Sequence, residues 1–270
     1  MYLALLGPLC LSHNGREIMI NSARARTALA VLGLHPDRTV SFEELIAELW
    51  SGRPIRDERN ALHAIIARLR RLLSATDGGS EIIRTVAGGY LFELPGSAID
   101  VRRFESLSRD GAGLIKREPR RAIEVLREAL GLWRGPALSD VGDGSRARAA
   151  AAYLDEQRLT AEEDLLAARL AIGEEWLVTS ELKQLVDEHP GRERLSEYLM
   201  LALYRSGRQS EAVSVFQQTC NWLSDELGLQ PGRPLQELYQ AILLQSPSLD
   251  HRADSPHEAL QRSPWVREGR

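Results

Sequence analysis

Residues 41–73 read SFEELIAELWSGRPIRDERNALHAIIARLRRLL, and the order of the fold follows from them. Ser41-Phe42-Glu43-Glu44 is a capping box: the serine can accept from the backbone three residues on while Glu44 reaches back. Leu45, Ile46, Leu49 and Trp50 then form an apolar stripe at helical spacing, and Ser51-Gly52-Arg53-Pro54 breaks it. A second helix is expected from about Asp57 to Ser74. At about 100° per residue, its inner side carries Leu62, Ile65, Ile66, Leu69, Leu72 and Leu73. The opposite side carries Asn60, Ala64, Ala67, Arg68 and Arg71, flanked by Arg56, His63 and Arg70.

Upstream, Tyr2–Leu6, Leu9–Leu11 and Glu17–Ile20 read as short strands, and a helix after Ser22 carries Ala25, Leu29 and Leu32 inward. Downstream, Ile82–Val86 and Tyr90–Phe92 flank Gly88-Gly89 and predict a hairpin. The expected order is three strands, three helices and a hairpin. A capped helix, a small-plus-arginine helix and a hairpin behind it make a winged helix-turn-helix, whose second helix enters the major groove while the wing touches the backbone. Ala64 and Ala67 permit close approach to base edges, and Asn60, Arg68 and Arg71 supply donors to bases and phosphates. The charge is distributed unevenly: residues 1–97 carry 11 Arg, no Lys and 10 acidic groups, whereas the whole chain is −4. DNA affinity in the first domain must therefore come from a local arginine patch.

After Leu94-Pro95-Gly96-Ser97, the best linker candidate, the pattern is almost wholly helical to residue 245. Helices are expected over 101–117, 119–133, 147–172, 174–188, 192–206, 208–226 and 233–245. Gly207, Glu211, Ala212 and Phe216 have the spacing of a tetratricopeptide-like helix pair. Trp133, Trp176 and Trp222 lie in apolar patterns and read as core residues. Residues 246–270 are rich in Ser, Pro and charge and are expected to be disordered. Cys10 and Cys220 stand far apart, which suits a reducing cytoplasm and opposes a structural zinc site. The chain has no phosphate loop, no HExxH and no GxSxG, so no catalytic residue, metal or cofactor is expected, and no membrane segment either.

The stretches SFEELIAELW, NALHAIIARLRRLL and IIRTVAGGYLFEL resemble the winged-helix output domain of OmpR/PhoB-type regulators. DVRRFESL, AIEVLREALGLWRGPALSDV and the run EHPGRERLSEYL to LQELYQAIL resemble the bacterial transcriptional activation domain. Together, over about residues 2–245, they resemble the SARP family, actinobacterial pathway-specific activators of antibiotic gene clusters. The resemblance implies a winged-helix domain over 1–96 and a helical activation domain over 97–245. It implies double-stranded DNA with direct repeats as one partner, RNA polymerase holoenzyme with its sigma factor as another, and a second protomer in tandem on the DNA. It places Asn60, Ala64, Ala67, Arg68 and Arg71 on the recognition helix, Trp50 near a phosphate, and Arg84 and Thr85 on the wing; with Arg56, His63 and Arg70 these are the candidate DNA contacts. Two positions depart from the OmpR/PhoB pattern: Ala87 and Ala67 stand where relatives commonly carry arginine. Two alternatives stay open: a helical adaptor or ligand sensor that uses the winged helix for protein docking, and a repressor acting by promoter occlusion.

Overall fold

The computed structural model describes residues 1–50, 55–74, 81–142 and 144–250. It is an α+β winged helix-turn-helix followed by an all-α, tetratricopeptide-like helical domain. The chain divides into two compact units, residues 1–112 with 124–162, and residues 113–123 with those from Glu163 onward.

The first unit opens with an antiparallel sheet, β1 (Tyr2–Ala4), β2 (Cys10–His13) and β3 (Arg16–Glu17), in that spatial order. Helix α1 (Ala23–Leu34) starts where Ser22 accepts from the Ala25 N–H, and it is buried on most of its surface. Its Gly33 lies against β1 so closely that a Cβ there would come within 2.3 Å of the Leu3 side chain. Strand β4 (Val40–Ser41) leads into α2 (Phe42–Trp50), and α3 (Glu58–Leu73) follows. The capping box forms as read: Ser41 Oγ accepts from the Glu44 N–H at 3.1 Å, and Glu44 Oε2 accepts from the Ser41 N–H at 2.9 Å.

The wing is β5 (Ile83–Val86) and β6 (Gly89–Phe92), joined by Ala87-Gly88 with Gly88 at φ 81°. Its sheet has the order β4-β6-β5, so the wing is pinned by a strand that the sequence reading did not anticipate. That pairing, Val40 with Tyr90 and Ser41 with Gly89, explains Gly89: a Cβ there would sit 2.1 Å from the Val40 carbonyl oxygen. Leu94–Ser97, the stretch read as a linker, is held in place. Leu94 is buried, Gly96–Ala98 form a 3-10 turn, and Ile99 bridges to Leu3. At the start of α4 (Asp100–Leu114) the Asp100 carboxylate accepts from the N–H groups of Leu5, Leu6 and Val101 at 2.8–2.9 Å. Burial pushes its carboxyl above the usual carboxylate range, against the pull of those donors and of Arg134.

The helices that follow are α5 (Pro119–Leu130), α6 (Ser145–Ala171), α7 (Glu175–Glu188), α8 (Glu193–Arg205), α9 (Gln209–Leu227) and α10 (Arg233–Leu243). In the second unit Val178, Leu182, Leu195, Leu199, Leu203 and Ile242 are among the residues of one apolar core. Phe216 and Tyr239 stack at 3.9 Å beside it, and α9 stops at Gly228 in the left-handed conformation. The core assignment of Trp176 is overturned: it is 74% exposed. The buried residues of α7 are Glu175, Val178, Thr179 and Leu182, a stripe at helical spacing that Trp176 lies off. Trp133 and Trp222 are partly buried. Of the expected disordered tail, residues 251–270 lie outside the described residues, while Pro247–Leu249 form a 3-10 turn. Among the described residues no helix is long and apolar enough to cross a membrane.

Candidate nucleic-acid interface

Helix α3 is held at both ends and on one face. Asp57 caps its start by accepting from the Asn60 N–H at 3.2 Å, and Ser74 closes it by donating its N–H to the Arg70 carbonyl at 2.8 Å. Leu62, Ile66, Leu69 and Leu73 are buried beneath it, while Ile65 and Leu72 are half-buried at the edges of that stripe. Asn60, His63, Ala64, Ala67, Arg68 and Arg71, with Arg56 just ahead of the helix, are exposed on the other side. The Asn60 side chain donates back to the Asp57 carboxylate. The guanidinium groups of Arg56, Arg68 and Arg71 form no hydrogen bond or ion pair with the described residues.

Four of the other candidate residues, Arg70, Thr85, His63 and Arg84, are already engaged within the fold. Arg70 Nε donates to the Ile83 carbonyl and its Nη2 to Thr85 Oγ1, both at 2.8 Å, so the arginine clamps α3 to the wing. His63 Nδ1 shares a 2.9 Å hydrogen bond with the Tyr90 hydroxyl, and both rings pack against Phe42. Burial pushes the Tyr90 phenol up, so it keeps its proton. Arg84 is exposed on the wing and pairs with Glu93 at 3.2 Å. The faces of α3 thus divide the labour: buried aliphatics anchor it, His63 and Arg70 bind the wing, and an outer ridge of small residues and guanidiniums meets water.

Trp50 stands apart from that ridge. It is 5% exposed, and its indole N–H meets no acceptor among the described residues. Arg24, exposed at the start of α1, places its guanidinium 5.8 Å above the Trp50 ring. The sequence reading missed Arg24 because nothing local links it to Trp50, more than twenty residues on. It also passed over Arg59, which lies 4.9 Å over the Phe42 ring and pairs with Glu43 at 3.5 Å. The helical spacing of Arg59 and Glu43 to the quoted stripes was visible; their meeting across two helices was not. Among the described residues no group of three or more His, Cys, Asp or Glu side chains could hold a metal ion.

Comparison with known proteins bears on both halves. The family described as "Transcriptional regulatory protein, C terminal" matches residues 15–92, and "Bacterial transcriptional activator domain" matches residues 99–243. The chain is 42% identical over 267 residues to the transcriptional regulator RedD of Streptomyces coelicolor, covering 97% of this chain and 74% of RedD. It is 35% identical over 257 residues to the regulatory protein DnrI of Streptomyces peucetius, covering 93% and 94%. Among solved structures, Mycobacterium tuberculosis EmbR in complex with a low-affinity phosphopeptide superposes with a TM-score of 0.87 at 31% identity, covering 91% of this chain and 65% of EmbR. A winged helix with an open arginine ridge, joined to an activator domain that matches over half of its length, places this chain in the SARP family of transcriptional regulators.

Proposed function

We propose that the chain is a sequence-specific, DNA-binding transcriptional activator that acts in the cytoplasm without catalysis, pathway-specific for a secondary-metabolite (antibiotic) gene cluster. Residues 1–96 bind DNA, residues 97–245 make protein contacts, and residues 246–270 form a tail. Helix α3 lies in the major groove with Asn60, Ala64, Ala67, Arg68 and Arg71 toward base edges. Arg56, His63, Arg70 and Trp50 border the phosphates, and Arg84 and Thr85 bring the wing to the backbone. Two protomers occupy direct repeats in tandem, and the helical domain recruits RNA polymerase holoenzyme through contacts that include its sigma factor. One observation carries this reading: the arginines of the outer ridge of α3 have no counter-charge among the described residues, so they can neutralise phosphates or donate bidentately to guanine.

Fluorescence anisotropy with a direct-repeat duplex from a neighbouring intergenic region, set against a scrambled duplex, tests it. Specific affinity should exceed the scrambled value by about a thousandfold or more at physiological salt. Equal affinities overturn the proposal. In vitro transcription then gives the sign: a rise in transcript supports activation, and a fall supports repression by occlusion. Stable capture of a protein partner without DNA, with no duplex binding, supports the adaptor.

A further inference from the structure

Helix α6 begins at Ser145, and the position before it is Gly144, which offers no side-chain acceptor where helices favour Ser, Thr, Asp or Asn. The acceptor comes instead from α2. Glu48, 3% exposed, takes the N–H of Arg146 on one carboxylate oxygen at 3.1 Å and the N–H of Ala147 on the other at 2.7 Å. Its negative charge lies at the positive end of the α6 dipole. Gly144 makes the room: a Cβ there would come within 1.9 Å of Glu48 Oε1. Contacts around this cap tie the same segment to both helices that support α3. Glu44 on α2 pairs with Arg146 at 2.9 Å, Thr27 on α1 accepts from the Gly142 N–H at 3.0 Å, and Arg26 on α1 pairs with Asp140 at 3.1 Å.

We propose that Glu48 is a positioning residue: by capping α6 from within the helix-turn-helix, it fixes the direction in which α6 leaves the DNA-reading helices, and activation depends on that direction while binding to a single half-site does not. The inference rests on the reading that α3 binds DNA. A cap drawn from a helix's own neighbourhood stabilises only that helix. This one cannot form unless α2 and the start of α6 hold one geometry.

Gly144→Asp, Glu48→Ala and the double variant, all in the full chain, separate the two roles. Gly144→Asp alone drives a second carboxylate into Glu48 and should melt far below wild type. In the double variant the new carboxylate caps α6 locally, so the melting temperature returns toward wild type while the tie to α2 is gone. Its affinity for a one-half-site duplex should stay within about twofold of wild type. Its transcription from a two-repeat promoter should fall on the order of tenfold. Wild-type transcription by the double variant overturns the inference, and so does an equal fall in half-site affinity, because Glu48 then serves the groove helix alone. If the double variant does not fold, Glu48→Ala alone decides by the same split between transcription and half-site affinity. A wild-type chain that binds no specific duplex breaks the DNA-reading proposal instead. In that case amide exchange at Arg146 and Ala147, slow in wild type and fast in Glu48→Ala, still reports the tie, and fast exchange in wild type overturns it.

Discussion

Around α3, the guanidiniums of Arg56, Arg68 and Arg71 meet water, whereas several arginines of the second unit are bound up in carboxylates. Arg192 and Arg194 both pair with Glu163 at 3.0 and 3.3 Å, Arg194 also holds Asp164 at 2.6 Å, and Arg205 pairs with Glu175 at 3.4 Å. Arg169 spans Glu174 and Glu181. A guanidinium with a carboxylate beside it has little charge left to offer a phosphate, and the cost of burying that carboxylate is met only while the pair persists. Arginine content alone therefore does not locate a nucleic-acid surface; the proposed one rests on arginines that lack partners among the described residues on one helix face.

The contrast is most exposed to failure at Glu163. Glu163→Ala removes a nearly buried carboxylate from two arginines and should cost about 3 kcal/mol in urea unfolding, with duplex affinity of the folded chain kept within about twofold. Arg71→Ala should do the reverse. It should lose about 1–3 kcal/mol of specific binding if the side chain reads a base, and move the unfolding free energy by less than about 0.5 kcal/mol. If the contact is to phosphate, the loss is uniform across sequences and the salt slope shrinks by about 0.9. A stability loss at Arg71 matching that at Glu163 would break the comparison.

Arg70 sharpens it, because it sits on α3 yet is used as the second unit uses its arginines. Arg70→Ala should cost about 1–2 kcal/mol of stability through its two lost hydrogen bonds. Amide exchange should quicken along β5.

The smallest effect is expected at the α2 cap, where Ser41→Ala should cost about 1 kcal/mol. The Glu44 carboxyl is held below the usual range chiefly by the hydrogen bond from the Ser41 N–H, with Arg146 beside it and burial opposing. A carboxyl depressed in the folded state adds stability above its unfolded value and loses it as pH falls through the folded one. Unfolding followed downward from pH 6 should therefore show this contribution fading below its ordinary value of 4.5 in wild type. Glu44→Gln should lack that fading.

Much of this was legible locally. The capping box, the inner stripe of α3 and its outer ridge depend on neighbours within about one helical turn, so spacing alone places them. Strand β4 was not legible, because two residues carry no periodicity and their partners Gly89 and Tyr90 lie across α2 and α3 in the chain. Trp176 misled because its apolar character was weighed above its phase against Val178 and Leu182. In the candidate site, the angular position of His63 and Arg70 put them at the ridge, but the reach of their side chains to Tyr90, Ile83 and Thr85 is a tertiary fact. Nothing local in the sequence marks Glu48 as a cap, since its partners follow 98 and 99 residues later.

The separation of anchoring, clamping and outward positions on α3 has a consequence for how such regulators diversify. Substitutions at 56, 60, 64, 67, 68 and 71 touch neither the aliphatic underside nor the wing clamp. Under the proposed reading of α3, a lineage, or an engineer, would therefore exchange operator preference in a handful of codons while the scaffold's foldability is inherited unchanged.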